Sequence, residues 1–202
     1  MIGEVLTFLI RQGFVPNEGS ASDEELRYLQ NLTIKLEASS IGEVGFNAGF
    51  SSRAFLEASP EVRVTSFDIG EHFYARPIKK FIDKKFPGRH TLILGDSKET
   101  IPRLAENRPE LKFDLIFIDG AHDYETVKSD ILNMRNFSTS RTAIVIDDLT
   151  SWLEWGKGPT KAWLEVIEKG IVIQEELLKD GKYVDRIEPP GERSWALGKY
   201  IL

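Results

Sequence analysis

Two short apolar segments of the chain are each followed directly by acidic residues that could take part in acid–base or metal chemistry. Asp119 follows the run at 113–118, and His122 lies three residues further on, whereas Asp147 and Asp148 follow a second such run. Carboxylate oxygens are the hard ligands that Mg²⁺ prefers. A histidine, with an unperturbed pKa of about 6.5, can take a proton from a reacting group. A structural interpretation is also open, in which Asp119 and Asp148 cap following turns and Asp147 pairs with a lysine.

A second candidate site is the glycine-containing segment from Glu43 to Ser51. Glycines allow the backbone to approach a ligand closely, and the first amides of a following helix are free to donate hydrogen bonds. Ser51 or Ser52 can cap that helix. The same glycines would serve any tight turn, and Asn47 stands where a nicotinamide-binding fingerprint has a small residue.

Two further polar positions follow predicted strands. Asp68 lies about 20 residues after the glycine segment, where an acid can accept hydrogen bonds from both hydroxyls of a ribose. Its alternative role is that of a turn residue before Gly70. Asp96 and Ser97 could hold an adenine amino group, or Asp96 could cap the next helix.

The elements that must position these residues alternate between strand and helix patterns. The predicted strands are 41–45, 62–68, 91–94, 113–118, 142–146, 171–178 and 194–201. The predicted helices after the first strand are 51–58, 74–86, 100–107, 124–134 and 159–169. Such alternation predicts an α/β fold: a doubly wound, mostly parallel, seven-stranded Rossmann-like sheet with an antiparallel strand pair at its C-terminal end. Ligands of such sheets bind beyond the carboxyl ends of the strands.

Two helical patterns precede the sheet region. The first spans 2–12, and the second begins at a capping box formed by Ser22 and Glu25, with leucines on one face. We therefore predict one compact domain that consists of an N-terminal helical cap (residues 1–40) and a catalytic region (residues 41–202). The segment 149–158, with two tryptophans and two glycines, is predicted to close over a substrate.

Composition excludes several classes of protein. The chain has 202 residues and no cysteine, so it has no disulfide, thiolate metal site or cysteine nucleophile. Its net charge is −6 and it has no dense block of Lys and Arg, which argues against a nucleic-acid partner. No apolar run reaches membrane-spanning length, and the first ten residues hold no Lys or Arg. We expect a cytoplasmic protein without a membrane partner, and a homodimer is compatible with this sequence.

Together these motifs resemble those of class I S-adenosylmethionine-dependent methyltransferases, over roughly residues 41–201. The glycine segment, the acid at the end of the second strand and Gly95-Asp96-Ser97 occur in the order of that family. Within it, the segments 118–124 and 146–148 resemble the branch of macrocin-type sugar O-methyltransferases. Asp147 stands where Glu is common, and Asp148 stands where the related catechol-type enzymes have Asn.

The resemblance implies an enzyme that uses S-adenosylmethionine and Mg²⁺ to methylate a hydroxyl of a small molecule, either a sugar or a catechol-like compound. It implies magnesium ligands at Asp119, Asp147 and Asp148. It also implies that His122 is the general base and that Asp119 takes part in catalysis. The cofactor-binding residues that it implies are Glu43, Gly45, Asn47, Gly49, Ser51, Asp68, Asp96, Ser97 and Asp119.

Two other functions compete with this one. A nicotinamide-dependent oxidoreductase would use the ribose acid in the same way, but Asn47 and the Asp147-Asp148 pair argue against it. A non-catalytic, cofactor-binding or scaffolding relative would have the same motifs. Titration with S-adenosylhomocysteine and NAD⁺ separates the first two functions, and turnover separates an enzyme from an idle relative.

Overall fold

The predicted alternation of helices and strands is present in the computed structural model, which describes residues 2–14 and 21–202. The helices in this part of the chain are α1 (Ile2–Arg11), α2 (Asp23–Lys35), α3 (Phe50–Ala58), α4 (Ala75–Lys85), α5 (Ser97–Asn107), α6 (Tyr124–Met134) and α7 (Lys157–Glu168). The strands are β1 (Ser40–Val44), β2 (Arg63–Asp68), β3 (His90–Leu94), β4 (Leu115–Ile118), β5 (Ala143–Ile146), β6 (Val172–Lys179), β7 (Lys182–Tyr183) and β8 (Ser194–Tyr200). Most of the loop predicted at 14–21 lies outside the described residues.

The eight strands form one sheet in the order β3-β2-β1-β4-β5-β8-β6-β7. Strands β1 to β5 pair in parallel, whereas β8 pairs antiparallel with both β5 and β6. This arrangement confirms the predicted doubly wound sheet with an antiparallel pair. The added strand is β7, which the Asp180-Gly181 turn joins to β6 as a short hairpin because both turn residues have positive φ.

The centre of the sheet is buried on both faces, as the apolar runs predict, whereas β6 and β7 at one edge have exposed residues. Every residue of β4 and β5 is buried. One apolar cluster lies under the helices α1 to α4 and includes Leu29, Ile78 and Phe117. The opposite cluster includes Ile101, Ile131 and Trp163, from α5, α6 and α7. Each fully buried large apolar side chain contributes roughly 1.5–3 kcal/mol, so this double core supplies most of the stability.

The second N-terminal helix packs directly on the sheet. Leu26, Leu29 and Leu32 of α2 are buried, in the same cluster as residues of β1 and β4. The predicted cap at Ser22 is confirmed, because its side chain accepts a hydrogen bond from the amide of Glu25. Among the described residues, no helix combines the length and apolar character that crossing a bilayer requires.

Candidate active site

The carboxyl ends of β1, β2, β4 and β5 meet at one edge of the sheet, where the chain order reverses between β1 and β4. This is the switch point at which open α/β sheets bind ligands. The glycine segment follows β1, Asp68 ends β2, Asp119 follows β4, and Asp147 follows β5. The fold therefore brings the predicted site residues of four separate segments to one edge.

The glycine segment lies tightly against the end of β4. A Cβ atom at Gly45 would lie 1.9 Å from the carbonyl oxygen of Asp119, and the φ of Gly45 is +97°. The amide of Asp119 donates to the carbonyl of Val44 over 2.9 Å. Only glycine meets both requirements, so Gly45 holds the glycine segment and Asp119 in fixed register.

Glu43 is fully buried beneath the glycine segment. Its carboxylate accepts a hydrogen bond of 2.6 Å from the Ser51 hydroxyl and short hydrogen bonds from Ser52 and Ser66. His90 Nε2 lies 2.9 Å from Ser66 Oγ. Burial outweighs these hydrogen bonds and raises the pKa of Glu43 to about 7. Glu43 and Ser51 therefore support the segment from below.

The predicted side-chain cap of α3 is wrong. Its N-cap residue is Gly49, whose φ of 68° turns the chain into the helix before either serine is reached. Ser51 and Ser52 lie inside the first turn and donate to Glu43 instead. The helix amides at the N-terminus consequently have no side-chain cap from Gly49, which leaves them available to a ligand.

Asp68 clamps the glycine segment from the side of β2. Its Oδ2 accepts from the amides of Phe46 and Asn47 over 2.9 and 2.8 Å, and its Oδ1 accepts from the amide of Gly70 over 2.7 Å. A carboxylate has about four acceptor positions, so capacity remains for a ligand hydroxyl. The ribose role of Asp68 stays a prediction, and the structure adds a second role, the ordering of the segment.

A cavity of about 330 Å³ opens beside Asp68. Its lining includes the apolar side chains of Ile69, Phe73 and Leu94 and the backbone of Gly95. Asp96 follows at its edge and caps α5, with Oδ1 accepting from the Lys98 amide over 2.9 Å. The capping role is thus confirmed. The role of Asp96 and Ser97 towards an adenine stays a prediction.

Three carboxylates converge beyond the ends of β4 and β5. Asp119, Asp147 and Glu25 each offer an oxygen within 4.8 Å of the other two. Asp147 and Glu25 are buried, whereas Asp119 is partly exposed. The position of Glu25 was not predicted, because the capping box gave its side chain a sufficient role on α2. No short-range signal could have found it, since the partners lie far apart in the chain.

The crowding of these acids changes their protonation. Burial, with the neighbouring negative charges, raises the pKa values of Asp119 and Asp147 well above the usual range. Burial raises the pKa of Glu25 to about 7, although the positive charge of Arg193 opposes this shift. Like charges at this spacing cannot all ionise unless a proton or a cation compensates them.

Asp148 faces a different partner. Its Oδ2 lies 3.1 Å from His122 Nε2, and the His122 side chain is about half exposed. Asp148 has a φ of +62°, in the left-handed region that non-glycine residues rarely adopt. The structure therefore unites Asp119 and Asp147, as predicted, and pairs Asp148 with His122.

The loop after β5 approaches the same edge. Trp152 Nε1 donates to the carbonyl of Gly191 over 3.2 Å, and Trp155 is exposed, whereas Trp163 is buried on α7. Gly158, at the start of α7, packs on the backbone of 122–124, and a Cβ atom there would lie 2.2 Å from the His122 carbonyl oxygen. Closure of this loop over a substrate stays a prediction.

Residues 43–149, more than half of the chain, match the sequence profile of a family described as a methyltransferase domain. Comparison with curated proteins gives no match.

Solved structures share the fold at low sequence identity. An O-methyltransferase from Bacillus cereus in complex with S-adenosylhomocysteine is 18% identical, with a TM-score of 0.76, over 98% of this chain and 90% of that chain. TomG from Streptomyces achromogenes, an O-methyltransferase of tomaymycin synthesis in complex with S-adenosylmethionine, is 15% identical, with a TM-score of 0.77, over 98% and 88%. CalS11, a TDP-rhamnose 3'-O-methyltransferase of calicheamicin biosynthesis, is 20% identical, with a TM-score of 0.65, over 85% and 77%.

Proposed function

The chain belongs to the methyltransferase-domain family, and on that premise we propose that it transfers a methyl group from S-adenosylmethionine to a hydroxyl of a small molecule. The observation that carries this proposal is the meeting of two groups of residues at one sheet edge. The glycine segment with Asp68 is suited to a nucleoside, and Asp119, Asp147 and His122 are suited to an acceptor hydroxyl. Gly45 joins the two groups through its contact with Asp119.

The cofactor would occupy the edge from the glycine segment to the cavity beside Asp68. The free amides at the start of α3 suit a carboxylate, Asp68 suits the ribose hydroxyls, and the apolar lining by Ile69 and Leu94 suits a purine. The acceptor position that remains on Oδ1 of Asp68 would take a ribose hydroxyl, while the other positions hold the backbone amides.

In the transfer, an oxygen–methyl bond forms, the sulfur–methyl bond breaks to leave S-adenosylhomocysteine, and the hydroxyl loses its proton. In this proposal His122 receives that proton, which is supported by its half-exposed side chain next to Asp148. Asp148 would orient the imidazole and stabilise the imidazolium ion that forms.

The acidic residues fit a divalent cation. Buried oxygens of Glu25 and Asp147 have no hydrogen-bond partner among the described residues, and hard oxygen donors are the set that Mg²⁺ takes. Asp119 and Asp147 would hold the ion. When bound, such an ion lowers the pKa of a coordinated hydroxyl.

The acceptor is proposed as a sugar or catechol-like compound, since both present hydroxyls to a carboxylate-lined site. The resemblance of the 118–124 and 146–148 segments to sugar O-methyltransferases and the structural likeness to CalS11, a TDP-rhamnose 3'-O-methyltransferase, support this class. A nicotinamide-dependent reaction is less well supported. Asn47 stands where the nicotinamide-binding fingerprint has a small residue, and that reaction gives no role to the Asp147-Asp148 pair.

Calorimetric titration with S-adenosylhomocysteine and NAD⁺ tests the cofactor, and turnover of a panel of hydroxylated compounds tests the reaction. Asp68→Ala should weaken S-adenosylhomocysteine binding by about 1–3 kcal/mol, because the acceptor for a ribose hydroxyl and the clamp on the glycine segment are both lost. Asp83→Ala, at a partly exposed position on α4 where the carboxylate pairs with Lys79, is the control and should leave affinity unchanged. Binding of NAD⁺ without S-adenosylhomocysteine would contradict the proposal.

A further inference from the structure

Glu25 is a buried acid on a helix that precedes the sheet. Its side chain is only 1% exposed, and it reaches across to Asp119 and Asp147, beyond the ends of β4 and β5. In the capping box, its amide donates to Ser22 Oγ over 3.1 Å and its carboxylate accepts from the Ser22 backbone. That role does not account for the carboxylate oxygen Oε2, which is buried beside two other acids without a partner among the described residues.

Two oxygens in this cluster lack hydrogen-bond partners within the described parts of the chain. Glu25 Oε2 and Asp147 Oδ1 are both shielded from solvent, and no donor reaches either of them. Buried carboxylate oxygens are ordinarily paired with donors or metal ions, because desolvation without a partner is unfavourable. Both oxygens belong to the group whose ligand atoms lie within 4.8 Å of one another.

The local charge balance is negative. Three carboxylates meet here, and Arg193 is the cationic residue whose charge acts on both Glu25 and Asp119. One guanidinium cannot offset three carboxylates. Asp148 adds a fourth carboxylate nearby, but its Oδ2 faces His122. Asp148 thus pairs with His122, and Glu25 on α2 supplies the third carboxylate of the cluster with Asp119 and Asp147.

We infer that Glu25 is a ligand of the divalent cation, so that Glu25, Asp119 and Asp147 form the cation site while Asp148 acts as the positioning residue of His122. This inference rests on the proposed function, which places a cation at this edge. It makes α2 part of the active site, and it implies that cation binding fastens α2 to the sheet.

The test compares the wild type with Glu25→Gln, which keeps the size and removes the charge. Glu24→Gln, at an exposed neighbouring position on α2, is the matched control. Mn²⁺ binding is followed by electron paramagnetic resonance and Mg²⁺ binding by calorimetry. Because loss of supporting residues around metal sites typically costs about 10–100-fold in affinity, Glu25→Gln should weaken binding at least about tenfold. Glu24→Gln should bind like the wild type, and S-adenosylhomocysteine affinity should be unchanged in both.

Hydrogen exchange gives a second readout that does not depend on turnover. Addition of Mg²⁺ should slow amide exchange in α2 of the wild type, and this protection should be lost in Glu25→Gln. If that variant does not fold, Glu25→Asp, which retracts the carboxylate by one methylene, should show the same weakened binding and reduced protection.

The outcomes separate this inference from the proposed function. If Asp119→Asn loses cation binding but Glu25→Gln keeps it, the role of Glu25 as a ligand is overturned, whereas the proposed cation site at this sheet edge is retained. If the wild type binds neither Mn²⁺ nor Mg²⁺, the inference is overturned, and turnover in excess chelator then decides whether methyl transfer proceeds without a cation. If Asp148→Asn weakens Mn²⁺ binding as strongly as Glu25→Gln does, the assignment of Asp148 to His122 is overturned.

Discussion

At the residue scale, the pair formed by His122 and Asp148 joins an exposed imidazole to a buried carboxylate. An acceptor can reach the exposed side of the imidazole ring. The Asp148 carboxylate contacts Nε2 and holds the orientation of the ring. The pair therefore has the arrangement of a general base and its orienting group.

Removal of this base should affect turnover and leave binding intact. His122→Ala should lower the rate of methyl transfer by about 10²–10⁴-fold, because the hydroxyl proton loses its acceptor. Activity should recover partly at higher pH, where the hydroxyl ionises unaided. The measurement is kcat against pH for both proteins, with S-adenosylhomocysteine and Mn²⁺ affinities as controls. A rate close to that of the wild type would leave His122 as a structural residue.

Glu43 should make the stability of the protein depend on pH. Its pKa is about 7 in the folded protein and 4.5 by reference, so the folded state keeps a proton that the unfolded state has lost between these values. Stability should therefore fall as pH rises from about 4.5 through about 7. Glu43→Gln should remove this part of the slope, and Glu61→Gln, at an exposed position, should keep it. Denaturant unfolding at pH 5 and pH 8 measures the effect, and an equal slope in Glu43→Gln would contradict it.

At the element scale, α7 and the turn before α6 are held at backbone contact. Gly158 has no room for a side chain, because its Cβ would meet the carbonyl of His122 and the amide of Tyr124, neither of which can move independently. The position of His122, the proposed general base, thus depends on a glycine in another element.

Gly158→Ala should therefore displace α7 or the 122–124 turn. We expect a loss of about 1–3 kcal/mol in stability, as for other overpacked sites, and a larger loss of kcat than of cofactor affinity. Gly3→Ala, which meets no atom within 4 Å, is the control. Thermal unfolding and steady-state kinetics measure both effects. Unchanged kcat in a destabilised protein would show that the contact is structural only.

At the scale of the whole molecule, the segments proposed to bind the cofactor follow β1, β2 and β3 in one half of the sheet, and the acidic residues lie next to them. A ligand that spans the glycine segment and the Asp68 cavity should therefore stabilise the entire domain. S-adenosylhomocysteine at 100 times its dissociation constant should add about 2.7 kcal/mol and raise Tm by about 5–10 °C for a domain of this size. NAD⁺ is the control ligand. A Tm that responds to NAD⁺ instead would favour an oxidoreductase.

Much of this architecture was predictable from local sequence patterns. The strands β4 and β5 are short apolar runs buried on both faces, and the polar residues that follow them had to meet at one sheet edge. What local patterns do not encode are contacts between distant segments. Glu25 satisfied a capping box and gave no sign of Asp119, the serines that bind Glu43 resembled helix caps, and β7 is too short to be distinguished from its turn.

The place of β8 in the sheet has a consequence for synthesis. Although β8 follows β6 in the chain, it lies between β5 and β6 in the sheet. Both β5 and β6 are therefore synthesised before β8, the strand that pairs with each of them. A nascent chain that has not reached Ser194 therefore leaves the fully apolar edge of β5 unpaired. Open strand edges of this kind recruit other chains. During translation, this protein should depend on chaperones most strongly in the interval between the completion of β5 and the emergence of β8 from the ribosome.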